Sequence, residues 1–160
     1  MERTLLTSSP KDESLDSISR TLAQVVRLTS SRSLFARQAT AAGVALTQPS
    51  YALLRVLIDH GPQAMGALAR GAHMDVGMAT RQVTALVDAG LVTRKPDPAD
   101  LRVSLVGVSK QGRRVAGKLQ DMRRDHLQRA LSGWTGAELD QFAAFLTRFV
   151  ADSMTTPIDD

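Results

Sequence analysis

Cysteine is absent from all 160 residues, which excludes disulfides, thiolate zinc sites, thiol redox sensing and cysteine nucleophiles together. Long hydrophobic runs are also missing. No stretch approaches the roughly 18 apolar residues that a membrane span needs, and Met1 to Pro10 lacks the apolar core of a signal peptide. A cytoplasmic protein without a membrane partner is therefore expected. Histidine is scarce and scattered, at His60, His73 and His126, and no H-E-x-x-H, G-x-S-x-G or P-loop pattern occurs. No catalytic residue, cofactor or metal site is expected, since His126 and its neighbour Asp125 are adjacent and do not share a helix face. Aromatics make up only 4% of the chain, but 43% of it is hydrophobic, enough for one compact domain with a buried core.

The net charge of +4 is modest, but the charges are segregated. From Arg94 to Arg124 nine bases face three acids, a net of +6, whereas Met1 to Asp16 carries −2 and Gly133 to Asp160 carries −4. A basic centre with acidic ends suits a polyanion at the centre, although many charge runs are only solvated faces.

Periodicity gives a mainly helical chain. Leu15, Ile18, Leu22, Val25 and Val26 predict one long first helix from about Ser14 to Thr40, ended by Gly43. Thr47 caps a second helix that tolerates Pro49 early and carries Tyr51, Leu53, Leu54, Leu57 and Ile58 up to Gly61. A short third helix fits Ala64 to Gly71. Asp75 caps a fourth, with Val76, Ala79, Val83, Leu86 and Val87 as its apolar stripe and Gly90 as its end. Leu91 to Arg94 then reads as a strand, Pro96 to Asp100 as a turn, and Leu101 to Val108 as the returning strand of a β-hairpin. Ser109 caps a fifth helix with Val115, Leu119, Met122, Leu127 and Leu131 on one side. Thr135 to Glu138 forms a capping box, with Trp134 and Leu139 as a hydrophobic staple. It opens a last helix lined by Phe142, Ala143, Leu146, Phe149 and Val150. The end of the chain, 156–160, is a polar tail.

This order is a helix-turn-helix followed by a wing. In such modules the second helix of the pair enters the major groove, which has room for one α-helix. With the stripe inward, Gly77, Met78, Arg81, Ala85 and Asp88 point outward, and Gln82 and Thr84 lie on the flanks. Arg81 can pair bidentately with guanine and Gln82 with adenine, Thr84 can bond to base or phosphate, and Gly77 permits close approach.

The stretch Asp75 to Leu86, followed by Gly90-Leu91-Val92-Thr93-Arg94, resembles the recognition helix and wing entry of the MarR (multiple antibiotic resistance regulator) family. Asp97-Pro98-Ala99-Asp100-Leu101-Arg102, followed by Val108-Ser109-Lys110-Gln111-Gly112, is similar to the family pattern D-P-x-D-(R/K)-R and then hydrophobic-(S/T)-x-x-G. Leu46 to Leu54 also looks like the family's second helix. The resemblance implies a mainly α fold with a small β-wing, a winged helix-turn-helix with N- and C-terminal dimerisation helices. On that pattern residues 1–45 are the first dimerisation helix, 46–108 the DNA-binding lobe and 109–155 the C-terminal dimerisation helices.

It further implies a homodimeric repressor on a double-stranded DNA operator, with Gly77, Met78, Thr80, Arg81, Gln82, Thr84, Arg94, Lys95, Asp100 and Arg102 at the interface. Asp100 would brace Arg102, whose guanidinium enters the minor groove, where a narrow groove concentrates negative potential. Leu101 departs from the basic residue usual in the wing, which removes one electrostatic contact. The resemblance also implies a small aromatic or lipophilic acid as effector, for which Arg27, Arg32, Tyr51, Arg55, His60 and Thr80 are the candidate contacts. The competing readings are a winged-helix module for protein contacts only, a histidine and carboxylate metal sensor, and an enzyme.

Overall fold

The computed structural model describes residues 9–157, so the start of the chain and the end of the expected polar tail, 158–160, lie outside the described residues. It divides into two compact units, residues 1–122 and 123–160. Among the described residues no helix is long and apolar enough to cross a membrane.

The first unit opens with α1 (Pro10–Thr29) and α2 (Arg32–Ala41) in place of the single helix expected. The break has a local cause. Thr29 Oγ1 donates back to the Val25 and Val26 carbonyls, Ser31 is extended, and its hydroxyl accepts from the Leu34 N–H as the cap of a new helix. The start is also earlier than expected, because Ser9 and Asp12 form a capping box around Pro10. Gly43 ends α2 in the left-handed region at φ +65°, where the next amide, Val44 N–H, reaches back to the Ala39 carbonyl.

The remaining elements of this unit follow in order: α3 (Gln48–His60), β1 (Gln63–Ala64), α4 (Met65–Gly71), α5 (Val76–Asp88), β2 (Val92–Pro96), β3 (Ser104–Val108) and α6 (Lys110–Ala130), which runs on into the second unit. The core is Leu53, Leu54 and Leu57 of α3, Leu68 of α4, Ala79, Val83 and Leu86 of α5, Val92, Val106 and Leu119, all buried. Two members of the expected α5 stripe are not in it. Val76 and Val87 are 53% and 37% exposed, because they sit at the edges of the arc that faces α3 and α4.

The sheet has the order β1-β3-β2, all antiparallel. The two-residue β1 leaves no periodicity to detect, so it was not expected. The returning strand begins at Ser104 and not at Leu101: the Asp97 N–H donates to the Val103 carbonyl and the Val103 N–H to Asp100, which keeps Leu101 and Arg102 in the turn.

The base of the wing is locked by the S-x-x-G run. Ser109 Oγ donates to the Gly90 carbonyl at 2.7 Å and accepts from the Gly112 N–H at 2.9 Å. A Cβ on Gly112 would stand 2.0 Å from the Leu91 carbonyl oxygen, so only glycine lets α6 lie this close to the start of β2. Gly112, Ala116 and Leu119 are the buried face of α6; Val115 and Met122 are partly buried, and Leu127, expected on that face, is exposed.

The second unit holds the end of α6 and α7 (Gly136–Thr155). Its capping box is formed as the spacing predicts, with the Thr135 N–H donating to Glu138 at 2.7 Å. The ring partner of Trp134 is Phe142, edge to face at 5.4 Å. No residue of α7 is buried, and Phe142, Phe145, Leu146, Phe149 and Val150 all face solvent in the single chain.

Candidate nucleic-acid interface

Helix α5 follows α4 across a four-residue connection, Ala72 to Asp75. His73, within it, is the sole non-glycine at positive φ (+52°) among the described residues. Its N–H reaches the Arg70 carbonyl, and the Met74 N–H reaches Ala69, so His73 occupies the left-handed helix-end position that glycine takes elsewhere in the chain. Asp75 Oδ1 then accepts from the Met78 N–H at 2.7 Å and starts α5.

The outer face of α5 carries Gly77, Thr80, Arg81, Thr84, Ala85 and Asp88, all exposed. Arg81 folds back toward Gly77, where a side chain would meet its guanidinium at 3.7 Å. The Thr80 and Thr84 hydroxyls donate within the helix, to Val76 and Thr80 carbonyls at 2.7 and 2.9 Å, and present oxygen lone pairs outward. Met78 and Gln82 differ from the rest. Both are half-buried beneath the helix, and Gln82 Oε1 accepts from Ser50 Oγ at 2.7 Å and from Thr47 Oγ1 at 3.2 Å.

On the wing, Arg94 and Lys95 are exposed on β2. At the tip, Arg102 Nε and a terminal nitrogen donate to the two oxygens of Asp100 at 3.0 and 3.1 Å, and the Arg102 N–H donates to Asp100 as well. These bonds, the side-chain ones first, hold the Asp100 carboxyl below the usual carboxylate range, and Asp100 raises the arginine in turn. The guanidinium is thus oriented while its side chain stays 90% exposed. Leu101 beside it is 78% exposed.

Behind α5 lies a cavity of about 700 Å³ between α2, the start of α3, the α4–α5 turn and α5 itself. Phe35, Leu46, Pro49, Met74 and Met78 give it an apolar wall; Arg32 and His73 are its titratable side chains, with no carboxylate among the lining residues. Of the six residues expected at an effector site, Arg32 alone lines this cavity. Tyr51 is buried with its ring 6.0 Å from Phe35, and Arg55 donates to Asp59 and Gln120. His60 and Arg27 are exposed elsewhere, and Thr80 lies on the outer face of α5. His73, Met74 and Gln82 were missed as cavity residues. The one sequence signal for the first two was the tight connection around them, which placed a turn but not the space beside it.

Three comparisons bear on this arrangement. The model of the MarR family matches residues 46–104, from the start of α3 to the start of β3. The chain is 34% identical over 103 residues to an uncharacterized HTH-type transcriptional regulator, YxaD, of Bacillus subtilis, covering 64% of this chain and 72% of that protein. It is 26% identical to the HTH-type transcriptional repressor IacR of Pseudomonas putida, over 63% of this chain and 60% of that one. Among solved structures, Rv1404 from Mycobacterium tuberculosis superposes with a TM-score of 0.72 at 27% identity, over 91% of this chain and 98% of its own.

Proposed function

The chain belongs to the MarR family of helix-turn-helix transcriptional regulators, and on that premise we propose that it is a homodimeric repressor of a pseudopalindromic DNA operator, released by a small molecule. Helix α5 enters the major groove with Arg81 toward a guanine, Gly77 allowing close approach and Thr80 and Thr84 supplementing the contact. The wing follows the adjacent minor groove with Arg102, and Arg94 and Lys95 meet phosphates. Residues 46–108 act as the DNA-binding lobe, and residues 1–45 and 109–155 join two copies.

The observation that carries this reading is the Asp100–Arg102 pair, an arginine hydrogen-bonded to both oxygens of the aspartate yet almost fully exposed at the wing tip. A merely solvated charge has no need of such a brace. The repressor sign is supported by the relative named as one. The cavity behind α5, with two basic groups, no acid and an apolar wall, supports an effector that is a small aromatic or lipophilic acid. Selection of bound duplexes from a random pool, followed by footprinting, tests the proposal: the enriched sequence should be an inverted repeat with half-sites about one helical turn apart. Enrichment of no sequence at all would overturn it.

A further inference from the structure

We propose that Gln82 is a positioning residue that sets the recognition helix from beneath, and that it does not read a base; this deepens the DNA-binding reading above and rests on it. A bidentate pair with adenine needs both the oxygen and the nitrogen of the glutamine amide. Here the oxygen is held inside the lobe by Ser50 Oγ at 2.7 Å and Thr47 Oγ1 at 3.2 Å. Ser50 is buried, so withdrawing Gln82 to the groove would take an acceptor from a hydroxyl that water hardly reaches.

The anchor itself is fixed. Thr47 Oγ1 accepts from the Ser50 N–H as the cap of α3, and Gln48 in the same turn donates to the Thr29 carbonyl at the end of α1, 3.0 Å away. Gln82 therefore ties the middle of α5 to the capped first turn of α3, and with it the angle at which Arg81, the preceding residue, faces outward. The same amide forms part of the cavity wall beside Met78. An occupant of that cavity meets the group that holds the recognition helix in place.

The experiment runs the duplex selection with wild type, Gln82→Ala, Gln82→Glu, Ser50→Ala and the Gln82→Ala/Ser50→Ala double variant. All should select the same consensus at every position. Affinity for the selected duplex should fall about five- to tenfold in each alanine variant, as loss of a hydrogen bond does, and the double variant should be no weaker than either single one. Gln82→Glu keeps an acceptor for Ser50 and should bind better than Gln82→Ala. Loss of one A·T preference per half-site in Gln82→Ala would overturn the proposal. So would a Gln82→Glu variant weaker than Gln82→Ala, the order expected of a carboxylate facing DNA, or losses that simply add. Were wild type to select no duplex, the operator reading would fail alone. The tie would then be judged on the free protein by the Gln82 side-chain amide resonance, which Ser50→Ala should shift; an unmoved signal would overturn it.

Discussion

Single residues divide by what their neighbours do to them. Arg81 and Arg102 are both exposed arginines, but one lies on a helix and the other on a braced turn, so their loss should differ. Arg81→Ala should weaken operator binding by about 1 to 3 kcal/mol and relax preference at one base position per half-site, measured by competition with single-base variants. Arg102→Ala should weaken binding at many sequences and flatten its salt dependence, and Asp100→Ala should give a milder form of the same change. Glycines of α6 offer an opposite pair. Gly112→Ala forces a methyl onto the Leu91 carbonyl and should destabilise by about 3 kcal/mol or more in urea unfolding. Gly117→Ala meets nothing within 4 Å and should stabilise by about 0.5 to 1 kcal/mol, the ordinary gain of alanine within a helix. Gly77, Arg81, Ala85 and Asp88 of α5 were legible as outward because helical spacing decides them, whereas Met78, expected outward with them, is half-buried against the cavity. Gln82 was not legible either: spacing put it on a flank, and its partner Ser50 lies 32 residues away.

Elements were legible where a cap or a glycine marks them and obscure where pairing is distant. Thr47, Asp75, Ser109 and Thr135 each begin a helix as expected, since one hydroxyl or carboxylate three residues before an orphan N–H suffices. The break at Ser31 was hidden by apolar periodicity that continues on both sides, and β1 exists only because β3 passes beside it. The cavity was obscure for the same reason: Tyr51, Arg55 and His60 stand out by their chemistry, whereas the space is shaped by α2 and the α4–α5 turn. At the start of α7, the Thr135 N–H and then its hydroxyl hold the Glu138 carboxyl below the usual range. The folded value lies below the unfolded one, so this cap stabilises above the ordinary glutamate pKa of about 4.3 and is lost as pH falls through the lowered value. The Thr135 amide proton should titrate with a midpoint below that of free glutamate, by NMR; a midpoint at or above it would mean that the box does not form in solution.

The molecule as a whole carries apolar surface that a single chain does not cover. Leu15, Ile18, Val25 and Val26 of α1 and Phe142, Phe145, Leu146, Phe149 and Val150 of α7 are each 40% or more exposed, far more than scattered surface hydrophobics would give. Leu146→Asp or Phe149→Asp should turn a dimer into monomers and abolish operator binding with it, read by sedimentation and gel shift; a well-folded wild-type monomer at micromolar concentration would refute this. The wing has the opposite character, complete within one chain: β3 is gripped on both sides by β1 and β2, Ser109 and Gly112 clamp its base, and Asp100 sets its tip. On the proposed DNA-binding reading, a hairpin folded before contact has little to order on binding. Encounter then limits how fast the complex forms, and damage to the tip appears mainly in how soon it falls apart.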